Sequence, residues 1–268
     1  GECEIELLDT GPLVGRIGVR RRFRSSEIVL TYELRAGSPR LDVGCEIDWH
    51  ERHHLLKLGF DLDVRTTDAV REIQFGHIST PIHTNTTWDA ARFEVSAHRW
   101  VDVGEPGFGV AVLNDGRYGH DFIRRVARDG SSSSTVVRVS VLKSATFPDP
   151  RAGSGRHRVT VSLMPHAMPL RKAGVIVEGY RLNLPLRVAA PPSETSVSTP
   201  DASALPVPPV AVDRRSVVVE AVKLAEDGSG DLIVRLYESF GGRAEPKVTF
   251  GWPVEVVAVD LLEDQRDD

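Results

Sequence analysis

The chain has 268 residues, of which 41% are hydrophobic and 26% are charged, and its formal net charge is −5. This composition is typical of a globular protein with one large or two modest domains. A net charge this far from basic argues against a nucleic-acid-binding protein. No apolar run approaches the ~20 residues that a membrane-spanning helix needs. The two cysteines, Cys3 and Cys45, are too few for a disulfide framework.

Apolar and polar residues alternate along much of the chain, which is the pattern of half-buried strands. The runs with this pattern are residues 28–34, 41–49, 56–64, 93–100, 108–113, 136–142 and 157–163. Turn-forming Asn, Asp and Gly residues separate them. No long amphipathic stretch carries helix caps. The sequence therefore predicts an all-β protein of antiparallel strands, arranged as a large sandwich.

A proline-rich stretch divides this pattern, with six of the 17 prolines between residues 191 and 209. Proline lacks a backbone donor and cannot sit in a central strand. We therefore predict a large sandwich domain over 1–190, a linker over 191–213 and a small C-terminal β domain over 214–268. In the small domain, residues 226–231 predict a hairpin turn and residues 254–262 a last strand.

Residues 50–54, HERHH, match the H-E-x-x-H spacing of zinc proteases. That chemistry needs a helix, on which residues i and i+4 share one face and reach the same metal. Both flanks of this segment alternate with a period of two, and residues four apart on a strand are separated by roughly 13 Å. We therefore predict a polar strand end or turn here, and no metal site.

Two loops carry residue types that bind sugars. Trp88 and Asp89 lie in a polar stretch, where an indole face can stack on a sugar ring and a carboxylate can accept hydrogen bonds from hydroxyls. The plainer alternative is a buried Trp88 that anchors a loop whose turn is capped by Asp89. Arg151 lies in a loop rich in Pro and Gly, which either presents the guanidinium to a hydroxylated group or leaves it solvated. No pair of carboxylates or other catalytic set stands out, so no catalytic residue is assigned.

Several strings, in this order and spacing, resemble the C-terminal half of the family-38 α-mannosidases. They are DWHERH (48–53), EIQFG (72–76), NTTWD (85–89), AHRW (97–100), LND (113–115), YGHD (118–121), FPDP (147–150), VEAVK (219–223) and RLYE (235–238). The resemblance covers nearly the whole chain from about residue 28 onward.

The resemblance implies a large antiparallel mutarotase-like β-sandwich followed by a small C-terminal β domain, packed on a catalytic barrel and lining one side of a sugar cleft. It also implies retaining hydrolysis of terminal α-mannosidic bonds in a mannose-containing glycan. Two aspartates and a zinc ion held by two His and two Asp would perform it. All of these groups would lie in the upstream N-terminal catalytic domain. No catalytic residue, metal ligand or cofactor is therefore placed on this chain.

The resemblance implies a substrate-binding role for one residue of this chain, Arg151. The segment 149–153, DPRAG, is similar to an Asp-x-x-Arg-Gly loop whose arginine lines the mannose site. Here Ala152 follows Arg151, and Asp149 is closer to the arginine than in the family pattern. Arg151, Trp88 and Asp89 are thus the predicted substrate-binding residues.

The chain begins with Gly1, and its only methionines are Met164 and Met168. We therefore expect a piece of a longer enzyme that is inactive by itself. The sparse cysteines and the resemblance favour a cytoplasmic location, and homo-oligomerisation stays open. The alternatives are a free-standing carbohydrate-binding module, with Trp88 or Trp100 as the stacking platform, and a purely structural or interaction domain.

Overall fold

A computed structural model describes residues 3–127, 129–130, 132–187 and 208–266. The chain divides into two compact units, Gly1–Pro185 and Leu186–Asp268. Most of the predicted linker, 191–207, lies outside the described residues. The domain boundaries inferred from the proline distribution stay a prediction.

The first unit is built of antiparallel strands, which confirms the predicted all-β fold. Its strands are β1 Cys3–Thr10, β2 Val14–Phe23, β3 Ser26–Arg35, β4 Leu41–Trp49, β5 His54–Leu62, β6 Asp68–Ile73, β7 Gly76–Pro81, β8 Val95–Ser96, β9 Trp100–Glu105, β10 Phe108–Asn114, β11 Gly119–Val126, β12 Ser133–Ser144 and β13 Gly155–His166. Its helices are α1 Thr87–Ala90, α2 Leu170–Ala173 and α3 Val175–Asn183.

The strands form two sheets that face each other. The larger has nine strands in the order β1-β2-β3-β4-β13-β10-β9-β6-β7, and the smaller has four in the order β5-β12-β11-β8. Alternate residues of β4, namely Cys45, Ile47 and Trp49, are buried, as are Val137 and Val139 of β12. These side chains belong to one apolar cluster, which lies between the sheets because each sheet buries one face and leaves the other polar. The predicted sandwich is confirmed.

The longest helix, α3, packs on the outer face of the larger sheet over β9 and β10. Gly179 makes this approach feasible, since a Cβ there would lie only 3.0 Å from Cδ1 of Trp100. The sequence did not predict α3, because the residue at its N-cap position, Gly174, offers no capping side chain. None of the helices in the described ranges is long and apolar enough to cross a membrane.

The predicted strand at 93–100 is largely wrong, since only Val95–Ser96 forms a strand before Trp100, which already begins β9. The chain turns away from the sheet because two amides find other partners: the N–H of His98 donates to the carbonyl oxygen of Glu72 at 3.1 Å. The N–H of Arg99 donates to the carboxylate of Glu72 at 2.7 Å. These hydrogen bonds to the backbone and side chain of Glu72 thus override the local alternation.

The second unit contains two small antiparallel pairs. β14 Val210–Val212 pairs with β17 Val248–Phe250, and β15 Val217–Leu224 pairs with β16 Leu232–Glu238. The first of these strands lies within the range that was predicted as linker.

The predicted hairpin turn at 226–231 is confirmed, because it joins β15 to β16. The N–H of Ala225 donates to the carbonyl oxygen of Asp231 at 2.9 Å. Gly228 and Gly230 adopt φ angles of 77° and 91°, which favour glycine. The predicted last strand at 254–262 is wrong, since that range holds only an isolated bridge from Val259 to Gln265.

Candidate functional site

The connection between β7 and β8 carries two of the predicted sugar-binding residues. Its single helical turn, α1, begins after Thr86, whose hydroxyl oxygen accepts a hydrogen bond from the N–H of Asp89 at 3.1 Å. In return, the carboxylate of Asp89 accepts hydrogen bonds from the hydroxyl of Thr86 at 2.7 Å and from its N–H at 3.3 Å. This reciprocal capping explains why so short a helix forms here.

Asp89 makes further contacts within the same loop. Its carboxylate oxygens lie 3.4 Å from Nη1 of Arg92 and 3.3 Å from Nδ1 of His83. The hydrogen bond from the Thr86 hydroxyl, assisted by these two neighbours, outweighs the effect of partial burial and lowers the pKa of Asp89. The carboxylate therefore stays ionised and caps the turn, which agrees with the plainer interpretation of the sequence.

Trp88, in contrast, projects into solvent. Its side chain is 85% exposed, so the burial that the plainer interpretation predicted is wrong. Phe93, near the end of the same connection, is also exposed. An exposed indole face can stack on a sugar ring or pack on another protein surface.

A charge cluster anchors this connection to the smaller sheet. Nζ of Lys57 donates to the carboxylate of Glu94 at 2.7 Å and also pairs with Asp121. Ser140 donates its hydroxyl to Glu94. Burial alone would raise the pKa of Glu94, but the hydrogen bonds from Lys57 and Ser140 outweigh it and lower the pKa. Sequence reasoning missed this cluster, although the outward positions of β5 and β12 could have suggested it.

Arg151 lies in the loop between β12 and β13. Its N–H donates to the carboxylate of Asp149 at 2.8 Å, and its carbonyl oxygen accepts from the N–H of Ser154 at 3.0 Å. Gly153 has a φ of 72°, and a Cβ there would meet the carbonyl oxygen of Lys143 at 2.7 Å. The loop is therefore held tightly against the end of β12. Among the described residues, no carboxylate lies within ion-pair distance of the Arg151 guanidinium.

The structure keeps the two predicted loops separate in their contacts. Within the described ranges, no hydrogen bond or ion pair joins Trp88 or Asp89 to Arg151. Trp100, the other aromatic residue considered as a stacking platform, is only 1% exposed. It packs beneath Gly179 of α3, so its ring is not available to a sugar and that prediction is wrong.

Residues 50–53 form the turn between β4 and β5, as predicted, and His54 begins β5. The carboxylate of Glu51 accepts from the N–H of Ser25 at 2.9 Å and from the hydroxyl of Ser26 at 3.1 Å. His50 lies 3.0 Å from Asp48, and His53 has a φ of 57°. In the part of the chain that the structure describes, no three His, Cys, Asp or Glu side chains are placed to hold a metal ion. These residues do not fit the zinc ion that the resemblance implies for the full-length enzyme.

Comparison with known proteins gives a consistent result. The family model described as glycosyl hydrolases family 38 C-terminal domain matches residues 1–151, and that described as glycosyl hydrolases family 38 C-terminal beta sandwich domain matches residues 216–268. Alpha-mannosidase 2C1 of Homo sapiens is 41% identical over 233 residues, which are 83% of this chain and 21% of that protein. Alpha-mannosidase G of Dictyostelium discoideum is 36% identical over 249 residues, or 90% of this chain and 21% of that protein.

An alpha-mannosidase from Enterococcus faecalis V583 is similar in structure, with a TM-score of 0.80 over 98% of this chain and 33% of that chain. Its identity is 15%, so this likeness concerns the fold alone. The chain spans about a fifth of the length of the curated relatives it matches. It belongs to glycosyl hydrolase family 38 and corresponds to the C-terminal region of that family.

Proposed function

We propose that this chain is the non-catalytic C-terminal β region of a longer α-mannosidase that hydrolyses terminal α-mannosidic bonds of a mannose-containing glycan. The observation that carries the proposal is the 41% identity to a human alpha-mannosidase over 83% of the chain. In this function the region supports an N-terminal catalytic part and lines one side of the sugar cleft. The zinc ion that the resemblance implies would be held by that N-terminal part.

We further propose that Arg151 and Trp88 face the glycan, with Asp89 fixing the loop that carries Trp88. Arg151 lies in a loop whose backbone is held by a hydrogen bond to Asp149 and by the close approach of Gly153 to Lys143. Its guanidinium has no ion-pair partner among the described side chains. Such a group can donate several hydrogen bonds to sugar hydroxyls at a small entropic cost. The exposed face of Trp88 offers a stacking surface of the kind that sugar rings use.

The proposed function is tested with an aryl α-mannoside as substrate. We expect turnover by the full-length protein and none above background by the 268-residue chain alone. Turnover by the isolated chain would contradict the non-catalytic assignment. A full-length protein that is folded but inactive on α-mannosides would contradict the assigned activity.

The role of Arg151 is tested in the full-length enzyme by Arg151→Ala. We expect KM to rise about tenfold or more, since a lost hydrogen bond from a charged donor costs about 1.5–3 kcal/mol. Arg158→Ala is the matched control, because Arg158 is an exposed residue of the adjacent strand whose nearest carboxylate, that of Glu46, lies 3.8 Å away. An unchanged KM for Arg151→Ala would show that the guanidinium does not reach the substrate.

The exposure of Trp88 also favours a second candidate, a free-standing carbohydrate-binding module. This function requires that the 268-residue chain binds mannosides without a catalytic part and that Trp88→Ala abolishes binding. Titration calorimetry of the isolated chain measures both. The absence of heat with mannose or mannan would exclude this candidate. Phe93→Ala is the matched control, because Phe93 is another exposed aromatic residue of the same connection.

We also propose a cytoplasmic location for the full-length protein. Both cysteines are free thiols in the structure, and the one at Cys3 is exposed. Free thiols without a disulfide partner are typical of reducing compartments. Fractionation of cells that express the tagged full-length protein tests this location, and recovery in a secretory compartment would contradict it.

A further inference from the structure

The two sheets of the sandwich differ in width, with nine strands against four. At one edge of the smaller sheet, β5 pairs with β12 and, among the described strands, with no other. The inward side chains of β5, namely Leu56, Leu58 and Phe60, are only half-buried although they pack against the core. A sandwich buries apolar side chains where its sheets overlap. β3 reaches this core through Ile28 and Leu30, whereas β1 and β2 contribute none of its described residues.

The inward face of these three strands is nevertheless apolar apart from Arg21, which lies opposite Cys3. The register aligns one row of side chains that runs from the edge of the sheet into the core: Ile5, Val19, Leu30 and Cys45. In the next row, Leu7 lies opposite Ile17. Ile5 is 73% exposed and Leu7 is 65% exposed. The apolar face of the core thus continues onto the surface without a cover.

The opposite face of the same strands is polar and internally paired. Arg16 donates to Asp9 at 2.7 Å and also pairs with Glu33, while Arg20 pairs with Glu27. Charged side chains that pair with one another on a sheet surface are suited to water. The two faces of β1, β2 and β3 therefore differ. The charges of the outer face pair with one another, whereas the exposed apolar side chains of the inward face, such as Ile5 and Leu7, have no apolar cover among the described residues.

An open cleft lies between this face and the edge of the smaller sheet. Its volume is about 430 Å³, and Phe23 and Ile28 line it on one side while Leu55 and Leu56 of β5 line it on the other. The cleft therefore lies beside the first residues of β5, at one end of the position that a further strand of the smaller sheet would occupy. An unpaired edge beside an apolar face is the usual template for an added strand.

We propose that the N-terminal part of the full-length protein supplies at least one β-strand, which hydrogen-bonds to the free edge of β5 and extends the smaller sheet beneath β1, β2 and β3. The occupant is that part of the same polypeptide, because the segment matched here is only 21% of the human relative and the family models describe it as C-terminal. The proposal rests on the proposed function, since it requires the longer enzyme. The backbone of such a strand would form hydrogen bonds with the free edge of β5. Its alternate apolar side chains would pack against the exposed face of β1, β2 and β3.

The chain contains its own probe for this interface. Cys3 lies on β1 directly before Glu4 and two residues before Ile5, and it is exposed in the structure of the present chain. In the full-length enzyme, we expect Cys3 to be protected from maleimide in native buffer and to react after denaturation, as mapped by peptide mass spectrometry. Cys45 is the internal control for intact folding, because it is buried and burial raises the pKa of its thiol to about 11.

Two neighbouring substitutions distinguish the faces of β1. In the full-length enzyme, we expect Ile5→Cys to react with maleimide at least tenfold more slowly than Glu6→Cys, because residues 5 and 6 point to opposite faces of the strand. Equal labelling of Cys3, Ile5→Cys and Glu6→Cys would overturn the proposal. Protection that disappears on dilution to the monomer would assign the cover to a second copy of the chain, and would also overturn it.

Hydrogen exchange of the unmodified full-length enzyme tests the added strand itself. We expect the amides of β5 that point away from β12 to exchange about as slowly as those that point toward it. Fast exchange at alternate β5 residues would show a free edge and overturn the strand addition. An α-mannosidase assay on the same sample separates the two proposals: an active enzyme with a reactive Cys3 contradicts only this inference, and an inactive enzyme with a protected Cys3 contradicts only the proposed function.

Discussion

The ion pair between Glu72 of β6 and Arg99, which directly precedes β9, is buried where the larger sheet meets α3. Glu72 is 2% exposed, and its carboxylate accepts from the N–H of Arg99 at 2.7 Å and from its Nε at 3.0 Å. Nη2 of Arg99 lies 2.8 Å from the same carboxylate. The guanidinium also lies 3.7 Å from the ring centre of Tyr180 on α3. One carboxylate therefore joins β6, the start of β9 and α3.

We predict that Glu72→Ala lowers the free energy of unfolding by about 3 kcal/mol. Removing one partner of a buried ion pair costs about 3–5 kcal/mol, because the remaining charge is left without compensation. The lower end applies here, since the side chain of Arg99 is 21% exposed and water can solvate part of it. For a domain of this size, roughly 2–4 °C of melting temperature correspond to each kcal/mol, so Tm should fall by about 6–12 °C.

Thermal and urea unfolding, followed by tryptophan fluorescence, measure this loss, because Trp49 and Trp100 are both buried in the first unit. Glu46→Ala is the control: Glu46 and Arg158 are mostly exposed and 3.8 Å apart, so its removal should cost less than about 0.5 kcal/mol. A Tm for Glu72→Ala within 2 °C, or about 1 kcal/mol, of the Glu46→Ala value would refute the reasoning.

Two further predictions concern a strained glycine and a buried histidine–aspartate pair elsewhere in the first unit. Gly153→Ala should cost about 2 kcal/mol, because its φ of 72° and the carbonyl oxygen of Lys143 at 2.7 Å both oppose a Cβ. Gly37→Ala, with a φ of 77° and open space, should cost only about 1 kcal/mol, and equal melting temperatures for the two variants would contradict this. The hydrogen bond with Asp102 at 2.7 Å raises the pKa of His166 despite its burial. The pair therefore stabilises the fold fully below the unfolded pKa of about 6.5 and loses this effect as pH rises through the folded pKa. The Tm difference between the wild type and His166→Asn should be larger at about pH 5.5 than at about pH 8.5, and a constant difference would contradict the sign.

The strands that the sequence predicted are those whose apolar residues alternate without interruption. The prediction at 41–49 coincides with β4, and that at 28–34 lies within β3. β2 was missed because Gly15, Gly18 and the basic residues 20–22 interrupt its alternation. The inward face of β2 also lacks a cover among the described residues. In the proposed arrangement, this face is covered by a strand from the upstream part of the protein, which the local sequence does not show.

The candidate site was only partly predictable. The spacing of Thr86 and Asp89 contains the capping box, and the structure confirms that Asp89 caps the turn. The exposure of Trp88 was not predictable, because an indole ring is as compatible with a core as with a surface. The anchoring of the connection by Lys57 and Glu94 joins residues 37 positions apart, and such pairings depend on the arrangement of the strands.

Three of the strings that carry the family resemblance meet at one place in the fold. Glu72 belongs to EIQFG, Arg99 to AHRW and Asn114 to LND. Glu72 accepts from the N–H of Arg99, and the side-chain amide of Asn114 donates to the carbonyl oxygen of His98 at 2.8 Å. A valine of the core can be exchanged for another apolar residue of similar volume at a small cost. A buried carboxylate or amide requires a particular partner at a particular distance, because an unsatisfied polar group costs about 1–3 kcal/mol. The alternation of apolar residues therefore predicts the class of fold, whereas the polar contacts at the turns restrict the sequence enough to carry the resemblance to one family.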